Sequence, residues 1–465
     1  MLKGFKKIHF IGIGGYGMSA LAQVLIEEGY QVSGSDISSS SRIDFLKELG
    51  VEIYLSHKAE NINSVDLVIY STAIPGDNPE LLAAKQRGIS LWHRSELLAE
   101  LINSRYGIAI TGAHGKTTTT SMLSLILEEA SADPTCIIGG ELPNFGSNAR
   151  VGDSEYVVAE ACESDHSFLR YSPQIAVITN IEADHLEHYN GSFDQLLKSY
   201  RQFIENIDDS GKVFIYSECE YHDYLLEGMS KNCKTFGFSQ DADFRATDLK
   251  LNKGTTEFTI ESDLADSFKV ELMVPGEHNI LNALAAASVA LDLKISPTAI
   301  KRALQKFTGA KRRFMEIGQL QGATIVDDYA HHPTEIKATL KTAQEQSDNK
   351  VIAIFQPHRF TRTQYFMDDF ASSFEEADTV ILHKVFAAGE DEIPGANSKN
   401  LKDKIKENVP GLEVYVTDDM EDIAEIVSNI VDKGDYVITM GAGDIWKVAH
   451  WLVDEDYQKQ LNSEG

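Results

Sequence analysis

The sequence predicts an α/β protein of several domains, and three observations carry that reading. A short apolar strand runs into a glycine-rich turn and then an apolar-periodic helix twice, at residues 7–28 and again from residue 107. Further short apolar runs alternate with helical segments to the end of the chain, the pattern of parallel sheets covered by helices. The 465 residues, 43% hydrophobic and 24% charged, are too many for one ordinary core and apolar enough for several.

Taken in order, residues 7–11 (KIHFI) read as a buried strand, 12–17 as a turn and 18–28 as a helix, which opens a βαβ unit. A second strand at 31–34 ends at Ser35 and Asp36, and alternation at 51–54 and 66–70 carries the pattern to about Leu101. A new strand at 107–111 meets a second glycine loop, and strands at 156–159 and 175–179 follow. The basic stretch 308–313 marks the next boundary, beyond which 324–326, 351–355, 379–382 and 436–440 read as strands. The predicted division is 1–104, 105–311 and 312–465.

Lys plus Arg total 42 against 71 Asp plus Glu, a formal charge of −29 that argues against a nucleic-acid partner. The same field opposes any nucleotide, so a phosphate site here needs local devices: backbone N–H groups, a lysine or a divalent cation. No leading charged-then-apolar segment and no run long enough to span a bilayer is visible, which predicts a cytoplasmic protein without membrane insertion. Cys136, Cys162, Cys219 and Cys233 lack CxxC pairing, so buried free thiols are expected rather than zinc or disulfides.

Gly12-Ile13-Gly14-Gly15-Tyr16-Gly17 satisfies GxGxxG directly after a strand, with Asp36 where a ribose-binding acid belongs. The glycines only let a diphosphate approach a helix N-terminus, so they do not choose among nucleotides, and a tight turn without a ligand has the same pattern. Gly112-Ala113-His114-Gly115-Lys116-Thr117-Thr118 is sharper, because glycine, lysine and hydroxyl occur together at a strand end. Lys116 would reach β- and γ-phosphates and Thr117 would hold Mg²⁺, although the glycine spacing is shorter than the common P-loop pattern. Glu160 to His166 and Asn180 to His185 follow successive strands, which puts Glu160, Glu163, Asp184 and His185 at the same sheet edge if the sheet is parallel. The His-rich strand ends Asp327 to Pro333 and Phe355 to Thr363 read as substrate-positioning groups rather than a zinc site.

The ordered segments GIGGYGMSAL, TGAHGKTTTTSM, ESDHSF, TNIEADH, GEHNILNA, KRRF, DDYAHHPTEI and FQPHRFTRT together resemble the Mur ligase family over nearly the whole chain. The resemblance implies an N-terminal Rossmann-like domain, a central P-loop ATPase domain and a C-terminal Rossmann-like domain. It implies ATP-dependent ligation of L-alanine to the carboxylate of UDP-N-acetylmuramate in peptidoglycan precursor synthesis, by a monomer or homodimer using ATP and Mg²⁺. Gly12, Gly14, Gly15, Gly17 and Asp36 would then bind the UDP-sugar, and Gly112, Ala113, His114, Gly115, Lys116, Thr117 and Thr118 the phosphates of ATP. Thr117, Glu160 and His185 would be metal ligands, with His278, Asn279 and Asn282 on the adenine side. Arg313 and Asp328 would reach the nucleotide, and His331, His358, Arg359 and Arg362 would position the acceptor or the incoming alanine. Lys116, Glu160, His185, Arg313 and Asp328 form the implied catalytic set. One departure stands out: Cys162 occupies a position where the family usually has an acid.

The implied chemistry is γ-phosphoryl transfer to the muramyl carboxylate, followed by attack of the alanine amine on the acyl phosphate. Three rivals remain open on sequence alone: a ligase that adds a recycled peptide to the same sugar, a nicotinamide-dependent oxidoreductase built on Gly12 to Gly17, and a non-catalytic nucleotide switch. The oxidoreductase leaves the Lys116 loop unexplained.

Overall fold

The computed structural model describes residues 2–454; Met1 and the end of the third predicted segment, 455–465, lie outside them. The chain divides into two compact units. The first comprises Met1–Leu249, Phe258–Leu272 and Ile280–Thr308, and the second Lys250–Glu257, Met273–Asn279 and Gly309–Gly465.

In the first unit, a parallel sheet runs in the order Glu52–Tyr54, Gln31–Ser35, Lys7–Ile11, Leu67–Tyr70, Ser90–His93. Its strand residues alternate between faces as a pleat demands. Ile8, Phe10, Leu67 and Ile69 enter one apolar cluster, while Ile11 and Val68 enter another on the opposite face. The helix Tyr16–Glu27 follows the first strand, close to the predicted 18–28.

A ten-stranded sheet has at its centre Lys212–Tyr216, Ile175–Ile178, Tyr106–Thr111, Tyr156–Glu160 and Thr135–Leu142, parallel in that order. Parallel pairing sends every carboxyl end of this row to the same edge, which is where the second glycine loop begins. The antiparallel partner of Thr135–Leu142 is Ser147–Arg150, and this hairpin packs on the helix Tyr16–Glu27. Ser147 Oγ donates to Gln23 Oε1 at 3.0 Å, and Asn148 Nδ2 donates to Tyr16 O.

Periodicity does not predict that hairpin, because Gly139 and Gly140 interrupt its apolar pattern. Nor does it predict the strand Phe244–Asn252, whose second half is exposed, Leu249 and Leu251 included. Where strands are predicted they are found, Tyr156–Glu160 running beyond its predicted end to include Glu160 and Ala323–Asp328 to include Asp327 and Asp328.

The second unit is built on a six-stranded sheet in the order Met315–Leu320, Ala323–Asp328, Tyr436–Met440, Val351–Phe355, Thr379–His383, Glu413–Thr417. Only the first pair is antiparallel. Val351, Ala353 and Phe355 pack on one side of the sheet, and Ile352 and Ile354 on the other. All four cysteines are free thiols, but only Cys136 is buried; Cys162, Cys219 and Cys233 are half-buried, which corrects the expectation for three of them. Among the described residues, no helix is long and apolar enough to cross a membrane.

Candidate active site

The first glycine turn leans on the next strand. Gly12 N and Ile13 N donate to Ser35 O at 2.8 and 3.0 Å, and Gly14 N donates to Asp36 Oδ2 at 2.9 Å. Gly12 sits at φ +76°, where a side chain would be strained, and a Cβ on Gly14 would crowd the Asp36 carboxylate. The Arg42 guanidinium closes the turn from outside, with Nε donating to Gly14 O at 2.7 Å and its plane 3.9 Å from the Tyr16 ring centre. The helix that follows, Tyr16–Glu27, has Gly15 as its N-cap, which supplies no side-chain acceptor to the first N–H groups. Asp36, predicted as a ribose acid, is thus also the residue that shapes the glycine turn.

The second turn is tighter. Gly112 and Gly115 have φ of +135° and +80°, and a Cβ on either would overlap a neighbour, Thr179 Oγ1 or Asn282 Oδ1 respectively. Two residues at the end of the adjacent strand strap the loop. His114 N donates to Asn180 Oδ1 at 2.8 Å, Ala113 N donates to Asn180 O at 3.2 Å, and Thr179 Oγ1 donates to His114 O at 2.6 Å. Sequence reading did not single out Thr179 or Asn180, although both stand in the quoted TNIEADH segment. Asn282 accepts from Thr119 Oγ1 at 3.2 Å, which ties the predicted adenine-side residue to the helix after the loop.

Lys116 curls over its own turn. Its Nζ donates to Ala113 O at 3.1 Å and to Gly112 O, and pairs with Glu163 Oε1 at 3.0 Å. Burial pulls its pKa down, but the charge of Glu163 and its neighbours outweighs this and holds it above the usual lysine value. Glu163 is itself almost fully buried, at 2% exposure.

Glu160 ends the strand on one side of the loop strand, and His185 follows the strand on the other side. Glu160 Oε1 accepts from Gly139 N at 2.6 Å, and a Cβ on Gly139 would run into that carboxylate. A Cβ on Gly140 would lie 3.2 Å from Thr117 Cγ2, so the Gly139-Gly140 pair abuts both predicted oxygen ligands. His185 has φ +56°, Asp184 Oδ1 accepts from its backbone N at 2.8 Å, and its ring lies 3.5 Å from Asp184 and 3.8 Å from Glu187. A hydrogen bond from His185 holds Glu187 down at about 2.

The remaining predicted residues group in the second unit. His278 is pushed down to about 4 by burial and by Arg313, and Asn279 Nδ2 donates to Pro275 O at 2.7 Å. Asp328 accepts from Phe314 N at 2.6 Å and Ala330 N at 2.7 Å, yet burial still lifts it to about 6. Arg313 lies 3.8 Å from Glu335, which is also 3.3 Å from His331. The His358 ring stacks on Phe386 with centroids 5.5 Å apart and is 6.0 Å from His331; burial, then Arg362 and Arg359, take it down to about 4. Arg359, at φ +69°, pairs with Glu390 at 3.3 Å, and Arg362 is buried. Arg312 is the residue missed here: anchored by Asp327 at 3.1 Å, it donates to Gly441 O at 2.6 Å and Gly443 O at 3.3 Å. The structure therefore gathers Lys116, Thr117, Glu160, His185 and Asn282 in the first unit with Gly12 to Gly17, and His278, Asn279, Arg313, Asp328, His331, His358, Arg359 and Arg362 in the second.

Comparison with known proteins matches nearly the whole chain to one family. Residues 7–106 match the family model described as Mur ligase family, catalytic domain; 110–290 match the Mur ligase middle domain; and 312–443 match the Mur ligase, glutamate ligase domain. A UDP-N-acetylmuramate--L-alanine ligase of Dictyoglomus turgidum is 45% identical over 96% of this chain and 96% of its own. One from Desulforamulus reducens is 46% identical over 96% and 97%. The crystal structure of the UDP-N-acetylmuramate-alanine ligase of Thermotoga maritima superposes with a TM-score of 0.82 at 31% identity, covering 98% of this chain and 99% of that one. The chain belongs to the Mur ligase family.

Proposed function

We propose that this chain is the ligase that joins L-alanine to the lactyl carboxylate of UDP-N-acetylmuramate, consuming ATP and releasing ADP and phosphate. The observation that carries this reading is the meeting of three neighbouring parallel strand ends: the Lys116 loop in the middle, Glu160 on one flank and His185 on the other. Phosphoryl transfer asks a protein for positioning and for compensation of charge, and a half-buried lysine between acidic strand ends suits both. Three segments follow, 1–104 for the UDP-sugar, 105–311 for ATP and 312–465 for the amino acid.

Lys116 leaves Glu163 for the β- and γ-phosphate oxygens, while the strapped backbone of 112–115 keeps the turn open to them. Thr117, Glu160 and His185 offer two oxygens and a nitrogen, a donor set that fits a divalent cation, and the close approach of Gly139-Gly140 holds two of them in place. Mg²⁺ bound there would supply positive charge beside the γ-phosphate. Arg313 adds a further cation, and Asp328 fixes the backbone next to it through Phe314 N. His278, Asn279 and Asn282 serve the adenine. His331 and His358 position the incoming alanine, His358 as an uncharged ring because burial and the arginines hold it at about 4, while Arg359 and Arg362 hold a carboxylate. Gly12, Gly14, Gly15 and Gly17 with Asp36 receive the UDP-sugar.

Incubation with ATP, Mg²⁺, UDP-N-acetylmuramate and each free amino acid, followed by mass analysis, tests the assignment. A product larger than the sugar by one alanyl residue is expected; product only with a peptide acceptor would replace alanine by a recycled peptide. With oxygen-18 in the muramyl carboxylate, one labelled oxygen should appear in inorganic phosphate. Label in AMP would mean an acyl adenylate instead.

A further inference from the structure

Glu80, the second residue of the helix Pro79–Arg87, is a fully buried carboxylate that no step above uses. Groups from four places converge on it. Ser35 Oγ donates to Oε2 and Asn61 Nδ2 donates to Oε1, both at 2.6 Å. His57 Nδ1 lies 3.2 Å from Oε2, His9 Nε2 lies 3.6 Å from Oε1, and Lys58 N donates to Oε1 at 3.4 Å. Burying a charge is expensive unless it is saturated with hydrogen bonds, and here the donors do that: burial raises the pKa, but His9, Ser35 and Asn61 bring it below the usual carboxylate value. An aliphatic side chain would fill the same space without that cost, so the charge calls for a purpose beyond filling the core.

The direction of the contacts supplies one. Ser35, the residue gripped by Glu80, is also the residue whose carbonyl accepts from Gly12 N and Ile13 N at 2.8 and 3.0 Å. Its neighbour Asp36 takes Gly14 N at 2.9 Å. Half of the glycine turn thus hangs from a dipeptide whose side is anchored to Glu80. We propose that Glu80 is a positioning residue for the UDP-sugar, acting through Ser35 to hold the Gly12–Gly17 turn open for the diphosphate. This rests on the reading that the turn is where the UDP-sugar binds.

Two variants and one control separate the possibilities, with binding of UDP-N-acetylmuramate to the full chain read by calorimetry and turnover read separately. Glu80→Gln keeps the volume but turns an acceptor into a donor facing other donors. It should weaken sugar binding and raise its KM at least fivefold, leaving kcat at saturating sugar and the affinity for a non-hydrolysable ATP analogue within twofold. Ser35→Ala removes only the linking hydroxyl and should shift the same parameter in the same direction, about threefold; it carries the test if Glu80→Gln does not fold. Asp36→Ala is the control for the site itself. If Asp36→Ala weakens sugar binding but Ser35→Ala and Glu80→Gln leave it unchanged, the positioning role is wrong and the site reading stands. If all three bind the sugar as the parent does, the site reading falls and the proposal with it. A loss of kcat and of ATP-analogue affinity in parallel with sugar affinity would reduce Glu80 to a general structural role and overturn the proposal.

Discussion

At the first glycine turn of this ligase, the backbone N–H groups of Gly12 and Ile13 rest on the main chain of the next strand, and the turn itself has no charged side chain. At the second, side chains of Thr179 and Asn180 strap the loop from an adjacent strand, and a lysine sits at the first helical position. Both are strand–turn–helix units in parallel sheets, and both leave helix N–H groups uncapped. The backbone geometry that admits a phosphate is therefore shared, and what differs is the chemistry brought by neighbours in the sheet. A supporting frame of hydrogen bonds suits a substrate that must be held; a mobile cation suits a group that must be transferred.

The largest expected effect breaks that symmetry outright. Lys116→Ala should lower turnover by roughly 10²–10³-fold or more, with an unchanged circular dichroism spectrum and unchanged UDP-sugar binding. Turnover near that of the parent would remove Lys116 from the mechanism, and lost sugar binding would mean that the two turns are not separate sites.

Glycine substitutions compare the two backbones directly. Gly112→Ala places a Cβ on Thr179 Oγ1 at a left-handed φ and should destabilise the protein by about 2–4 kcal/mol. Gly15→Ala makes only ordinary contacts, with Gly12 O at 3.5 Å and Met18 Cγ at 3.8 Å, at an ordinary φ of −66°, so its cost should stay within about 1 kcal/mol. Urea unfolding midpoints measure both, and equal shifts would deny that the second turn is the tighter one.

The smallest effect is in pH. Glu80, beneath the first turn, is held below the ordinary carboxylate pKa, so its contribution is complete above about pH 4.3 and fades as acid titrates the folded form. Lys116, in the second turn, is held above the ordinary value, so its contribution is complete below about pH 10.4 and fades as base titrates the folded form. Stability profiles should show an acid limb flattened in Glu80→Gln and an alkaline limb flattened in Lys116→Ala. A variant that flattens the other limb would reverse one of the two assignments.

How much of this was legible beforehand follows from the range of the signals. Val157-Val158 and Ile175 to Ile178 announce strands by their own apolar runs, and Lys116-Thr117 announces a loop-to-helix turn by its own sequence, so the α/β class and the strand ends that carry Lys116, Glu160 and His185 could be read locally. The strap by Asn180, the seat of Glu160 against Gly139 and the grip of Glu80 on Ser35 join residues 66, 21 and 45 positions apart. Those pairings are created by strand order, which apolar periodicity does not encode. Arg312 was quoted beside Arg313 but passed over, since nothing in two adjacent arginines says which of them turns inward to Asp327.

The pairing of Lys116 with Glu163 has a thermodynamic consequence of its own. Because the lysine already has a carboxylate, nucleotide capture in the proposed mechanism is an exchange of one anionic partner for another, and only the difference between the two appears as affinity. Loading of ATP should then respond to ionic strength less steeply than at an open cationic cleft, since the ion pair that is broken offsets the one that is made. An acidic protein gains from this arrangement: the lysine spends its resting time neutralised by its own chain, and stray inorganic anions find no unclaimed positive charge there to occupy.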